Sequence, residues 1–284
     1  MLLAQIIVNG VLLGGLYGLM ALGMALVWGV LNIVNLAHGA FVMLGGYIVY
    51  FLFAAGFDPL AMLPVAMLAM FAFGYAVQRG LINLIVRSAL LNTLLFTFGL
   101  DVVLTYLAQL LFTADYRTIN PSYAGANFSI AQVTFPLGRT LAFAIAFILA
   151  GLLYLLLERS RLGRAIRATA QNLDAARLYG VDPAKIYAIT FGIGAALAGA
   201  AGGLYGIVAQ VTPYIGATLT AKSFVIAIIG GLENPLAIVG GGIVIGLAEA
   251  MTALYLGPTY TDVISFGLLV LILVARPARS LKLA

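Results

Sequence analysis

Three polar side chains recur at three-residue spacing in an uncharged stretch: Asn32, Asn35 and His38. No Asp, Glu, Lys or Arg occurs from Met1 to Phe57, and His38 is the only histidine. If the segment is helical, the three side chains share one face. If the helix breaks, their amides can hydrogen-bond the freed backbone. Non-helical backbone in an apolar environment persists only where it is buried in protein or lines a cavity. Both cases predict that these side chains face the interior or a pathway.

Glycines accompany this polar stretch, beginning with Gly39, and they allow close packing or bending. We therefore predict a gate or hinge at Asn32, Asn35, His38 and Gly39, with a purely packed polar tie as the alternative.

Two carboxylates lie inside other apolar runs, Asp101 and Glu249. Ionisable groups within membrane-spanning segments are costly and are functional hypotheses by default. For Glu249, a helix-to-helix tie and a place in the pathway or gate both remain open. Asp101 fits a carboxyl that is hydrogen-bonded to a neighbouring helix or protonated, and we assign it no role.

Several kinds of chemistry are excluded by what the chain lacks. It contains no cysteine and one histidine, which predicts no metal site and no Cys/His nucleophilic pair. No GxxxxGK[ST] phosphate loop occurs, so ATP is not hydrolysed by this chain in the usual way. Basic residues interleaved with aromatics are also missing, so nucleic acid is not an expected partner. No catalytic residue and no bound cofactor are predicted.

The composition indicates a membrane protein. Hydrophobic residues make up 64% of the chain, charged residues 8%, and the mean hydropathy is +1.14. Soluble domains carry about 25% charged residues, so this chain could not cover itself with a water-compatible surface. Its 33 glycines fit closely packed membrane helices. We therefore expect an all-α polytopic fold.

Nine segments are apolar and long enough to be candidate spans, since about 20 residues cross the hydrocarbon. Merging or dropping one short segment gives eight spans as the alternative. The candidates are 5–31, 38–56, 59–78, 88–112, 139–157, 187–210, 215–232, 236–256 and 261–275.

Basic residues set the predicted orientation, because Lys and Arg accumulate on the cytoplasmic face. Stretch 158–186 holds six of the fourteen and is placed inside. Nine alternating spans with an external N-terminus then put eleven of the fourteen inside. Only Arg117, Arg139 and Lys222 fall outside. Stretch 113–138 becomes an external loop, and the segment after 78 becomes a cytoplasmic turn at 79–87.

A five-residue sequence occurs twice, as Gly14-Gly15-Leu16-Tyr17-Gly18 and as Gly202-Gly203-Leu204-Tyr205-Gly206. The predicted orientation gives the two copies opposite directions, as in transporters built from inverted repeats. The chain then divides into a first half at 1–112, the external loop at 113–138, a central span at 139–157, a cytoplasmic segment at 158–186 and a second half at 187–284.

The cytoplasmic segment 158–186 predicts two short amphipathic helices, Arg161 to Ala170 and Asp174 to Tyr179. Asn172 or Asp174 is suited to cap the second helix and Gly180 to end it. Pro183 fits the first turn of the next span. A plain tether needs neither caps nor small apolar faces, so we expect this segment to bind another protein. A basic surface loop fixed only by membrane orientation is the alternative.

Four stretches resemble the permeases of branched-chain amino-acid ABC transporters of the LivH type. Asn9-Gly10-Val11, Gly29 and the run from Asn32 to Gly39 resemble the N-terminal signature, and Arg164 to Gly180 resembles the family's cytoplasmic coupling segment. Thr212 to Gly216 and Gly246 to Ala250 also resemble family stretches. Ala40 departs from the pattern, because relatives often carry an acidic residue there.

The resemblance implies a fold similar to type II ABC importer permeases, with inverted halves. It implies a multi-pass protein of the bacterial cytoplasmic membrane that works with two ABC ATPase subunits, a second related permease and an extracytoplasmic substrate-binding protein. ATP would be used by the partner subunits. The docking residues would lie in the coupling segment: Arg167, Asn172, Asp174, Ala175, Ala176, Leu178 and Gly180.

The expected cargo is a branched-chain or other hydrophobic amino acid. Import of urea or short-chain amides is an alternative, since related permeases serve such systems. An intramembrane enzyme is an alternative of another class, but only Asp101, Glu249 and His38 could serve it and they are far apart in sequence. A structural membrane subunit would leave the coupling-like segment unexplained.

Overall fold

The computed structural model describes residues 2–85, 90–130, 133–232 and 234–275, and it is almost entirely helical. A two-stranded antiparallel hairpin and single turns of π and 3₁₀ helix complete these ranges. The elements are α1 (Leu2–Leu31), α2 (His38–Ala54), α3 (Leu63–Val77), a π turn (Gln78–Ile82), α4 (Asn83–Ile85), α5 (Leu90–Phe112), β1 (Asn127–Ile130), β2 (Val133–Pro136), α6 (Leu137–Arg159), α7 (Arg161–Gln171), α8 (Leu173–Leu178), α9 (Pro183–Val208), α10 (Ile215–Gly230), α11 (Pro235–Tyr255), a 3₁₀ turn (Pro258–Tyr260) and α12 (Thr261–Ala275).

The predicted all-α polytopic class is confirmed. Within the described ranges, six helices have the length and apolar composition of membrane spans, and three shorter apolar helices accompany them. Each of the nine coincides with one predicted span. The shorter ones are α2, α10 and the helical stretch that includes α12.

Two long helices, α1 and α9, form the centre of the molecule, and small residues bring them together. They cross at Gly23 and Gly194: a Cβ on Gly23 would lie 2.5 Å from the carbonyl oxygen of Gly194. Such close approach of two backbones is what glycine permits in membrane helices. Gly23 lies eight residues before the end of α1 and Gly194 lies near the middle of α9, and both are buried.

The helix packing repeats between the two halves of the chain. Helix α1 packs against α11, and α9 packs in the same way against α3. Each short helix contacts the last span of its own half, α2 with α5 and α10 with α12, and α2 and α10 contact each other. This exchange of partners agrees with an internal repeat.

The duplicated pentapeptide does not occupy equivalent places in that repeat. Gly18 lies thirteen residues before the end of α1 at Leu31, whereas Gly206 lies two residues before the end of α9 at Val208. In the first copy, Gly14 and Gly18 pack on α11 and Gly15 packs on Phe143 of α6. The glycines of the second copy pack on α2, α3 and the loop at 113–138. Both copies are glycine-rich because both lie where helices pack closely. The match therefore does not require that the two copies occupy equivalent positions in the repeat.

Helices α2 and α10 both begin inside the protein, each after a non-helical lead-in. Residues 32–37 precede α2, and residues 209–214 precede α10. Their N-termini meet, since a Cβ on Gly39 would collide with the carbonyl of Gly216. With 17 and 16 residues, the two helices are about 25 Å long, which is less than the hydrocarbon thickness of about 30 Å.

The predicted cytoplasmic turn at 79–87 is helical in its first part. The α3 helix continues through the π turn and α4 to Ile85, and residues 86–89 lie outside the described ranges. Polar side chains sustain the continuation: Gln78 Nε2 donates to Asn83 Oδ1 at 3.0 Å, and Asn83 Nδ2 donates to the carbonyl of Ala184 at 3.4 Å. Arg79 therefore lies on a helix, not in a loop.

The loop at 113–138 contains the two-stranded hairpin. Residues 134–136 form part of β2, which pairs with β1. The side chain of Gln5, near the start of α1, holds this hairpin through two hydrogen bonds with the backbone of Thr134, at 2.7 and 2.8 Å. The start of α1 and the loop before α6 are therefore on one side of the protein.

Candidate functional site

His38 is the first residue of α2 and is buried at the crossing of α1 and α9. Its Nε2 lies 2.8 Å from the carbonyl oxygen of Met20, and a Cβ on Gly23 would lie 3.0 Å from its ring. Met20 is eleven residues before the end of α1, about 16 Å back along the helix. The lead-in therefore turns back toward the protein centre, and His38 ties the start of α2 to the middle of α1.

Side chains satisfy the non-helical backbone before α2. The buried Asn35 accepts a hydrogen bond from the amide of Ala37 through Oδ1, at 3.1 Å. Thr97 of α5 donates its hydroxyl to the carbonyl of Val34, at 3.3 Å. Asn35 thus does what was predicted for a broken helix, because its amide replaces a missing backbone partner.

Thr220 of α10 joins the two short helices. Its hydroxyl accepts a hydrogen bond from the amide of Gly39 at 2.8 Å and donates one to the carbonyl of Leu36 at 3.2 Å. Sequence reasoning missed Thr220, because its partners lie more than 180 residues away. The structure therefore contains the polar tie, and a moving gate at the same residues stays a prediction.

Asn32 lies apart from this cluster. It follows the last residue of α1, is exposed, and adopts φ of +54°. Asparagine is one of the residues that tolerate this left-handed conformation at a helix end. Asn32, Asn35 and His38 therefore do not form one ribbon, since the chain leaves the helix after Leu31.

Glu249 belongs to an ionic cluster that joins α10, α11 and α12. Lys222 Nζ lies 2.9 Å from Glu249 Oε1 and 3.1 Å from Asp262 Oδ1. The hydroxyl of Ser265 donates to Glu249 Oε1 at 2.7 Å. The Lys222 ammonium also lies over the ring of Tyr17 of α1, 5.0 Å from its centroid. Buried charges need such partners, because an unpaired charge in an apolar medium is very costly.

Of this cluster, only Glu249 is a candidate from the sequence. The alternation of the spans places Lys222 on the outer side despite its positive charge, and Asp262 and Ser265 carry no signal of their own. The sequence does contain one signal. Lys222 lies inside the apolar run 215–232, where an ionisable residue needs a partner of opposite charge. Which residue pairs with it depends on helix packing, which the sequence does not give.

Asp101 lies on α5 and is half-buried. Its Oδ1 is buried and has no hydrogen-bond partner among the described residues. Among the described residues, Asp101 forms no hydrogen bond or ion pair with His38 or with Glu249. These three side chains thus do not form the constellation that an intramembrane enzyme would need.

The predicted coupling segment forms two capped helices, as the sequence indicates. Asn172 is the N-cap of α8, and its side chain accepts the amide of Ala175 at 2.9 Å. After α8, Gly180 adopts φ of +79°, and the amides of Gly180 and Val181 donate to the carbonyls of Arg177 and Ala176. This Schellman arrangement ends the helix. Asp182 then caps α9.

The predicted docking residues differ in exposure. Leu178 is 89% exposed, as is its neighbour Tyr179. Asn172, Asp174 and Gly180 are also exposed, Ala175 is half-buried, and Ala176 is buried. Two exposed apolar side chains on a polar helix form a surface that a partner could cover.

The Arg167 side chain bonds to other residues of this chain. It pairs with Glu158 at 2.7 Å and donates to the carbonyl of Leu157 at 2.6 Å. The guanidinium of Arg167 therefore fixes α7 to the end of α6.

Comparison with known proteins identifies the family. A family described as branched-chain amino acid transport system / permease component matches residues 6–273. This chain belongs to that family. The high-affinity branched-chain amino acid transport system permease protein BraD of Pseudomonas aeruginosa is 35% identical, with 96% of this chain and 94% of the relative covered. No solved structure matches the chain.

Further relatives carry the same kind of name. The permease protein LivH of Salmonella typhimurium is 33% identical over 95% of this chain and 92% of the relative. The probable branched-chain amino acid transport permease protein LivH of Methanocaldococcus jannaschii is 27% identical over 90% and 83%. The relatives are named as transport permeases and not as enzymes, so this chain is a multi-pass transport permease.

Proposed function

We propose that this permease is the membrane subunit of an ATP-driven importer for branched-chain or other hydrophobic amino acids. The family match over residues 6–273 carries the proposal, together with the names of relatives that align with nearly the whole chain. The apolar character of the spans suits cargo with an aliphatic side chain, since few charged groups would hold it on the way.

The energy comes from partner subunits in this proposal, because the chain has no phosphate loop. The complete importer contains two ABC ATPases, a second related permease and an extracytoplasmic binding protein, in the cytoplasmic membrane of a bacterium. Helix α8 seats on an ATPase. Its exposed Leu178 and Tyr179 supply the apolar contact.

The geometry supports a path from α8 to the centre. Helix α8 leads through Gly180 and the Asp182 cap directly into α9, and the middle of α9 packs on α1 beside His38. A displacement of α8 would therefore act on the crossing at Gly194 and on the starts of α2 and α10. Rigid helices joined by short capped turns transmit such movement better than a flexible loop.

Reconstitution tests this function. The permease is placed in proteoliposomes with the second permease, the two ATPases and the binding protein of the same system, and uptake of radiolabelled L-leucine, L-isoleucine, L-valine and urea is measured. We expect ATP-dependent uptake of the amino acids. Uptake of urea alone would replace the amino-acid assignment, and uptake without ATP would contradict the importer.

A further inference from the structure

A cavity of about 270 Å³ opens on the side of the permease opposite α7 and α8. It lies between the first turns of α1, the start of α6, the end of α11 and the start of α12. Its polar lining comes from Asn9, Arg139, Glu249 and Thr261. None of these contacts belongs to the central tie at His38.

Opposite charges line this cavity. Glu249, Asp262 and Lys222 form a cluster of two carboxylates and one ammonium, which carries one net negative charge. Arg139 supplies a positive charge from α6, and its side chain makes no hydrogen bond or ion pair with any other residue in the described ranges. The residue is half-buried, and an unpaired guanidinium is suited to receive an anion, most favourably a carboxylate in a bidentate pair.

A buried acceptor also lacks a partner. The Oδ1 atom of Asn9 is buried and has no hydrogen-bond partner among the described residues. Leaving such an atom unsatisfied costs about 1–3 kcal/mol, and a donor from a ligand would remove that cost. On a small zwitterion, the ammonium group is the hydrogen-bond donor that could fill this role. The Glu249 carboxylate would also attract it.

The rest of the lining is apolar. Ile6 and Leu13 of α1 and Ala250 and Ala253 of α11 contribute it. The volume is below the about 300–1,000 Å³ that is usual for drug-sized ligands. The cavity therefore fits a single small ligand with one anionic group, one cationic group and a short aliphatic part.

We propose that this cavity is a binding site of the permease itself for an aliphatic L-amino acid. The α-carboxylate pairs with Arg139, the ammonium lies between Glu249 and Asn9 Oδ1, and the aliphatic side chain contacts Ile6, Leu13 and Ala253. This inference rests on the proposed function and names a cargo site within it. Lys222 is a positioning residue, because it holds the Glu249 carboxylate through Oε1.

Equilibrium binding of radiolabelled L-leucine to the full-length permease in nanodiscs tests the site. We expect saturable binding that competing L-isoleucine displaces. Leucine methyl ester, which lacks the carboxylate, and 4-methyl-2-oxopentanoate, which lacks the ammonium, should not displace it. Binding that both analogues displace equally well would overturn the proposed charge recognition.

Substitutions assign the binding to this cavity. Arg139→Gln removes the carboxylate partner and Ala253→Phe fills the apolar part, so each should weaken leucine binding by about tenfold or more. Arg139→Lys keeps the charge and should restore part of the affinity. Leu254→Phe is the matched control, because its neighbouring side chain does not line the cavity, and its binding should equal that of the unchanged protein.

Two outcomes overturn the inference. One is the absence of saturable leucine binding by correctly folded permease, or the displacement of bound leucine by added lipid alone. The other is unchanged binding in both Arg139→Gln and Ala253→Phe. Uptake by the complete reconstituted importer keeps the two proposals separate. Normal leucine uptake by these two variants would reject the cavity and leave the importer standing, whereas no uptake by the unchanged protein would reject the importer.

Discussion

Lys222 is the residue on which three helices converge. Its ammonium pairs with Glu249 of α11 and with Asp262 of α12, while the residue itself belongs to α10. The side chain of Glu249 is only 6% exposed, compared with 53% for Asp262. The inner pair therefore depends more strongly on its partner, since the outer carboxylate can be solvated.

Lys222→Met should destabilise the permease by about 3–5 kcal/mol, because Glu249 is left buried without its cation. Glu249→Leu should be destabilising for the converse reason. The double variant should lose less than the sum of the two, by about 1 kcal/mol or more. Thermal unfolding in detergent measures these changes.

Lys185→Met is the control for this cycle, since Lys185 is exposed and outside the cluster. Its unfolding temperature should remain close to that of the unchanged protein. Strictly additive losses in the cycle would mean that the Lys222–Glu249 pair contributes nothing of its own.

Gly39 is a second residue at which a substitution should be costly. A methyl group there would collide with the carbonyl of Gly216 and the hydroxyl of Thr220, and backbone is hard to displace. Gly39→Ala should therefore cost about 1–3 kcal/mol or more and separate the starts of α2 and α10. Gly267→Ala in α12 is the comparison, because nothing lies within 4 Å of its added methyl. Equal thermal stability of the two variants would contradict the close approach.

At the scale of elements, α8 is short and depends on its caps. Six residues are too few for a stable isolated helix. The hydrogen bond from the Asn172 side chain therefore supplies a large part of the stability of α8. Asn172→Ala should remove about 1 kcal/mol of helix stability and lower ATP-dependent uptake several-fold, with little change in the unfolding temperature of the membrane part.

Asn127→Ala provides the matched comparison for that experiment. Asn127 is an exposed asparagine at the start of β1, on the other side of the protein. Uptake by Asn127→Ala should be unchanged. If Asn172→Ala also transports at the normal rate, the capped geometry of α8 has no part in coupling.

The sequence predicts the elements better than it predicts their contacts. The helices at the nine predicted positions, the Asn172 cap, the Gly180 end and Pro183 follow from apolar runs and local chemistry, and the structure contains them. Thr220 and Lys222 were missed as functional partners because each bonds to residues brought near only by packing.

Two local predictions failed for physical reasons. The duplicated pentapeptide suggested register within a repeat, but glycine-rich sequences arise wherever two helices pack closely. The predicted turn at 79–87 followed from the gap between two candidate spans, whereas Gln78 and Asn83 bond within a helix that continues to Ile85.

At the scale of the whole molecule, the absence of cysteine makes the predicted orientation directly measurable. Single cysteines are introduced at Ser129 in β1 and at Tyr179 after α8, and intact cells are treated with a membrane-impermeant maleimide. The positive-inside rule predicts labelling of Ser129→Cys from outside. Tyr179→Cys should react only after the membrane is opened. The reverse pattern would invert the orientation and remove α8 from the side where ATP is available.

The central claim is that separate ATPases drive this permease through α8. Cross-linking from a Leu178→Cys variant in the assembled importer measures it most directly, with Ser129→Cys as the control position. We predict a covalent product between Leu178→Cys and a nucleotide-hydrolysing subunit, and none from Ser129→Cys. No such product in an importer that still transports, or an equal yield from both positions, would contradict the account.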